Sequence, residues 1–120
     1  DEQKSIYDIV LNAQVKSIEG IKSGVPCKYI DSIARDHIAN AGYSKFFDHG
    51  LGHSLGLEIH EDPRFSKVSE DILEENYVMT VEPGIYVPDI GGVRIEDDII
   101  VTKNGAEILN KTSKEFQVIS

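Results

Sequence analysis

Three histidines, His49, His53 and His60, fall within one glycine-rich dozen, His49-Gly50-Leu51-Gly52-His53-Ser54-Leu55-Gly56-Leu57-Glu58-Ile59-His60. Imidazole is both a common metal ligand and the side chain that exchanges protons near neutral pH. The spacing of His49 and His53 would suit a helical zinc site. However, Gly50, Gly52 and Gly56 disfavour a helix, and Gly50 stands where the zincin motif needs its glutamate. The glycines point instead to backbone brought close to something bound. A lone histidine of this kind is more often a hydrogen-bonded structural residue, and it is the grouping that shifts the balance towards chemistry.

Two glutamates follow in settings that present a carboxylate. Glu82 ends the apolar run Tyr77 to Val81 and precedes Pro83-Gly84, which reads as a turn that stops the strand and leaves the carboxylate at its tip. In Val93-Arg94-Ile95-Glu96, period-two alternation puts Arg94 and Glu96 on one face and Val93 and Ile95 on the other. The bland alternative for that segment is a same-face ion pair on a solvated strand. Imidazole with carboxylate suits manganese, iron, cobalt or zinc, and without clustered thiolates a structural zinc knuckle is disfavoured. Such a site lowers the pKa of water and polarises a carbonyl. Two-metal versions hold their ions ~3.5–4 Å apart and need bridging carboxylates. One histidine and two glutamates are too few for that, and spacing does not locate the others.

The elements that must position these groups divide the chain in two. Ile6, Ile9, Val10, Ala13, Ile18 and Ile21 form a helical stripe, stopped at Gly24 before Val25-Pro26. A second stripe, Ile30, Ile33, Ala34, Ile38 and Ala41, runs from Pro26 to Gly42. After Gly42 the helical period gives way to strand-like runs at roughly Leu55 to His60, Tyr77 to Val81, Gly92 to Thr102 and Ala106 to Leu109. Lys103-Asn104-Gly105 reads as a hairpin turn using positive φ, and the acidic stretch Ser69 to Asn76 as one surface helical turn. The expected architecture is α+β: two helices followed by a mostly antiparallel sheet, with the helices over one sheet face.

Composition narrows the function classes. The 120 residues, 40% hydrophobic and 28% charged, fit a single domain spanning 1–120. A formal charge of -9 would repel nucleic-acid phosphates. No apolar run reaches the ~20 residues of a spanning helix, so no membrane partner is expected. Cys27 is the only cysteine, which excludes an intrachain disulfide and fits a reducing, cytoplasmic setting. The sequence opens Asp1-Glu2-Gln3-Lys4 and its only methionine is Met79, from which a piece of a longer chain is expected.

Three blocks together resemble the Xaa-Pro dipeptidases and Xaa-Pro aminopeptidases, within the pita-bread metallopeptidase family that also holds the methionyl aminopeptidases. They are Asp48 to Glu61, Val81-Glu82-Pro83-Gly84-Ile85-Tyr86 and Gly92-Val93-Arg94-Ile95-Glu96-Asp97. The resemblance extends over essentially the whole chain. It implies that His53, Glu82 and Glu96 are metal ligands, with Glu96 bridging two divalent ions, manganese first and cobalt, zinc or iron as alternatives. It implies that His49 and His60 bind an Xaa-Pro peptide substrate and stabilise its tetrahedral intermediate. Arg94 would stand behind the ligands near the proline pocket, and Glu82 would shuttle a proton.

The family's two upstream aspartate ligands have no counterpart in these residues, so the resemblance implies the C-terminal half of a catalytic domain that is inactive by itself. Dividing a pseudo-symmetric domain would expose an apolar seam, from which a homodimer is expected. The rival classes are a non-catalytic pita-bread module that binds peptides or proteins, a creatinase-like enzyme without metal, a methionyl aminopeptidase and a plain scaffold. The retained His53, Glu82 and Glu96 favour a metal-dependent enzyme, and the runs Gly56 to Pro63 and Gly92 to Asp97 resemble the proline-specific branch more than the methionyl aminopeptidases.

Overall fold

The computed structural model describes residues 2–55 and 63–109. Helix α1 spans Glu2–Glu19 and helix α2 spans Cys27–Asn40, with a 3-10 turn at Ser44–Phe46. Glu2 in the first turn of α1 and Lys16 in its last complement the helix dipole. The first helix ends before the expected Gly24: Gly20 and Ile21 close on Ser17 and Ile18 through i to i-3 bonds, and Ile21 turns into the core. Gly24, at φ 93°, lies in the connection that follows. The second helix runs as expected, entered through Pro26 and left at Gly42 with φ 95°. Its last stripe residue, Ala41, is exposed.

Among the described residues seven short strands follow: β1 Gly52–His53, β2 Arg64–Phe65, β3 Val78–Val81, β4 Gly84–Val87, β5 Gly91–Arg94, β6 Asp97–Val101 and β7 Ala106–Ile108. All pairings are antiparallel, in sheets β1-β2, β3-β6-β7 and β4-β5. The expected α+β layout is therefore present, with four departures. Of the strand predicted from Leu55 to His60, Leu55 lies in no strand and 56–60 fall outside the described residues, while β1 at Gly52–His53 was not predicted. Ser69 to Asn76 forms no helical turn. Ile72 instead bridges Pro26 and Leu73 is buried in the core. The Lys103-Asn104-Gly105 turn joins β6 to β7, but the left-handed backbone falls at Asp89 (φ 70°) and Gly91 (φ 118°), in the turn between β4 and β5. Lastly, α1 packs on the long hairpin, while α2 packs chiefly on α1, the 3-10 turn and β2.

That hairpin is the central feature. Pro83-Gly84 does not reverse the chain. It continues from β3 directly into β4, while the return strand passes from β5 into β6 through Ile95-Glu96. The β3–β6 and β4–β5 ladders share one register, so counting on from Val81↔Asp97 and back from Gly84↔Arg94 sets Glu82 opposite Glu96 and Pro83 opposite Ile95. Alternation persists through the gap: Val93, Ile95, Asp97, Ile99 and Val101 are buried, while Arg94 and Glu96 face out, as the sequence pattern predicts. The inner residues join Ile6, Val10 and Ala13 of α1 and Ile30, Ala34 and Ile38 of α2 in the core. Among the described residues no helix is long and apolar enough to cross a membrane.

Candidate metal centre

The site forms where β1 crosses the hairpin beside its gap. Glu82 is not paired across the hairpin, so its N–H is free to donate to the Leu51 carbonyl at 2.7 Å, tying the strand before β1 to the glutamate. The next residue along, Gly52, presses on Thr80 so closely that a Cβ would overlap the Thr80 carbonyl oxygen. Gly50 approaches the Phe65 carbonyl in the same way, its Cβ position falling 2.8 Å from that oxygen. Gly50 and Gly52 therefore admit the chain's own strands, and both also line the cleft beside the site. The closeness has a plain cause, since three backbones converge where side chains would separate them.

This packing delivers His53 to Glu82. The His53 N–H donates to Thr80 Oγ1 at 2.9 Å, and Nδ1 donates to the Ser54 carbonyl at 3.1 Å, since a carbonyl only accepts. The Nε2 lone pair is then left on the other side of the ring, 3.5 Å from Glu82 Oε2. A ring fixed through Nδ1 to a carbonyl is the usual arrangement of a metal-binding histidine. Across the gap, burial first, then the carboxylates of Glu82 and Asp98, push Glu96 above its ordinary pKa, with Arg94 opposing them. Two carboxylates facing each other repel unless a cation lies between them. The donor chemistry thus fits a hard or borderline divalent ion. Among the described residues no three His, Cys, Asp or Glu side chains are close enough to hold an ion by themselves.

Beside the pair lies a cleft of ≈ 460 Å³ lined by His49, His53, Glu82 and Arg94, together with Arg64 and Phe65. The structure therefore brings together four of the residues singled out from sequence, with Glu96 opposite Glu82. His60 lies outside the described residues. His49 donates from Nδ1 to the Gly50 carbonyl at 2.6 Å, and its Nε2 is buried without a hydrogen-bond partner. Its ring stands edge-on to Phe47, with centroids 4.9 Å apart.

Sequence reasoning missed what holds the loop carrying His49. Asp31 and Arg35 on α2 form a two-bond ion pair at 2.8 and 3.1 Å. Arg35 also donates to the carbonyls of Phe47 (3.1 Å) and His49 (2.9 Å), and Asp31 accepts the Leu51 N–H at 3.0 Å. An Asp and an Arg four apart at the edge of an apolar stripe were the available signal. Arg64, set opposite His53 by the β1–β2 register, offered none.

A histidine beside one of two glutamates opposed across a hairpin gap is a donor set suited to a metal-dependent hydrolytic centre. The chain belongs to metallopeptidase family M24, whose model matches residues 1–103. The fold is that of a partial pita-bread domain. The chain is 56% identical over 116 residues to the Xaa-Pro dipeptidase of Pyrococcus horikoshii, an alignment covering 97% of this chain and 33% of that protein. It superposes on the crystal structure of the prolidase from Pyrococcus horikoshii OT3 with a TM-score of 0.92 at 55% identity, covering 97% of this chain and 33% of that one. The X-Pro aminopeptidase of Thermotoga maritima matches with a TM-score of 0.90 at 45% identity, over 96% of this chain and 33% of that one. The chain thus spans about a third of the length of the relatives it matches.

Proposed function

We propose that these residues form one unit that supplies the C-terminal part of the metal site and the substrate cleft of an Xaa-Pro peptidase. The observation that carries this reading is the opposition of Glu82 and Glu96 with His53 Nε2 3.5 Å from Glu82. In it, His53, Glu82 and Glu96 would hold the divalent metal, two ions with manganese preferred and Glu96 serving both by resemblance. Bound metal of this kind supplies Lewis acidity towards the scissile carbonyl and lowers the pKa of water.

The chain's own groups do the rest. Glu82, half-shielded beside His53, accepts the proton released by the attacking water and passes it to the leaving proline nitrogen. His49, with Nδ1 committed to the Gly50 carbonyl, would donate to the carbonyl oxygen from Nε2 in its imidazolium form, the second ring proton having been taken from solvent. His60 shares that role by resemblance. Arg94 on the cleft wall holds a positive charge beside the carboxylates and the proline side of the substrate.

Support for proline specificity comes from the names of the relatives, dipeptidase and aminopeptidase alike. Because the described donors make no group of three, activity is assigned to the longer protein and not to these 120 residues alone. The test is release of free proline from an Xaa-Pro dipeptide with added manganese, comparing the 120-residue chain with the full-length protein and its Glu82→Gln variant. Activity confined to full-length protein with Glu82 intact supports the reading. A folded, manganese-loaded full-length protein that releases no proline refutes it.

A further inference from the structure

The gap in the hairpin is also where α1 reaches the site. Gln14 is fully buried on the face of α1 that carries Val10, Ala13 and Ser17. Its Nε2 makes two long hydrogen bonds, to the Val81 carbonyl at 3.3 Å and to the Ile95 carbonyl at 3.4 Å. Only the NH2 end of an amide can serve two carbonyl acceptors, so the partners fix its orientation. Each of those carbonyls belongs to the residue immediately before a glutamate, Val81 before Glu82 and Ile95 before Glu96.

The need for such a donor follows from the sequence of the gap. In an antiparallel ladder, residues in a hydrogen-bonded pair exchange two bonds. Ile95 donates to the Pro83 carbonyl at 3.2 Å, but proline has no N–H to return. The Ile95 carbonyl would be left buried without a donor, and Gln14 supplies one. Meanwhile Gln14 Oε1 is itself buried with no partner. A methionine of the same length would fill the space without that orphaned oxygen, so the property peculiar to glutamine here is its pair of donors.

We propose that Gln14 is a positioning residue that cross-links the two backbone segments carrying Glu82 and Glu96, and so fixes the carboxylate separation offered to divalent metal. This rests on the ligand roles proposed for the two glutamates. The test uses full-length protein, wild type against Gln14→Met, with manganese binding followed by calorimetry and amide hydrogen exchange followed without metal. Exchange at Ile95 should accelerate roughly tenfold relative to Ile85 and Ile99 in the same hairpin, and the manganese dissociation constant should rise by about tenfold. A residue that merely fills the core would move all three amides together.

Should Gln14→Met fail to fold, the smaller Gln14→Leu carries the same measurement, because it too offers no donor to either carbonyl. Unchanged Ile95 exchange, or unchanged manganese affinity, in a folded variant overturns the bridge while leaving the ligand assignment standing. A wild-type protein that takes no manganese overturns the ligand assignment, and the metal-positioning role with it.

Discussion

Gly52 and Thr80 meet backbone to backbone: a Cβ on Gly52 would overlap the Thr80 carbonyl oxygen, and the Thr80 hydroxyl accepts the N–H of the next residue, His53, at 2.9 Å. His53, the proposed metal ligand, is thus placed by an absence of side chain at one position and a single hydroxyl at another. Gly52→Ala should force β1 away from β3 and cost about 3 kcal/mol, at the upper end of ordinary overpacking. Urea denaturation measures this directly, and an alanine variant of wild-type stability would show that the strands can part without penalty.

Arg35→Met is expected to be as costly by another route. It leaves Asp31, which is fully buried, as a charge without its partner, and it releases the carbonyls of Phe47 and His49. Removing one member of a buried pair costs about 3 kcal/mol or more. Because the loop that it frees carries His49, kcat of the full-length enzyme should fall further than stability alone explains. Arg35→Lys should recover little, since one ammonium cannot reproduce the forked contacts.

Glu82→Gln should separate stability from activity. Removing one of two directly opposed carboxylates relieves a repulsion worth about 0.5 kcal/mol in metal-free protein. The same change removes a proposed ligand and proton carrier. Metal-free thermal unfolding should therefore shift slightly upward while proline release disappears. A downward shift would mean that the carboxylate makes a stabilising contact even without metal.

Cys27 gives a pH signature remote from the site. Burial, then the charge of Asp71, raises its thiol pKa to about 12, against a smaller opposing hydrogen bond from Ser69. With the folded value above the unfolded one, the stabilisation is fully present below the unfolded pKa, declines as pH rises past it, and is gone above about 12. Native protein at pH near the unfolded thiol pKa should therefore react slowly with iodoacetamide and quickly once unfolded in urea. Equally rapid labelling of both forms would contradict the burial of this thiol.

Much of the architecture was legible because it rests on period. The helical stripes gave α1 and α2, and alternation from Val93 to Val101 survived a change of ladder that no propensity would reveal. His53, Glu82 and Glu96 were readable by type and by resemblance. The opposition of the two glutamates was not, because Pro83-Gly84 has the composition of a turn. The side-chain amide of Gln14, eighty-one residues before its partner Ile95, meets the chain where it runs straight through. Strand β2, at two residues, is too short to show alternation, and Gln14 itself sits in a helical stripe where a polar residue reads as surface.

Because Glu82 and Glu96 face each other across one hairpin, their spacing starts from the pitch between neighbouring strands, and the Gln14 bridge proposed above would hold the gap to that pitch. The tip of the hairpin, Pro88-Asp89-Ile90, lies beyond the β4–β5 ladder and has no part in that spacing. Evolution is therefore free to lengthen, shorten or reshape the tip, remodelling whatever it touches, while the distance between the two carboxylates stays constant.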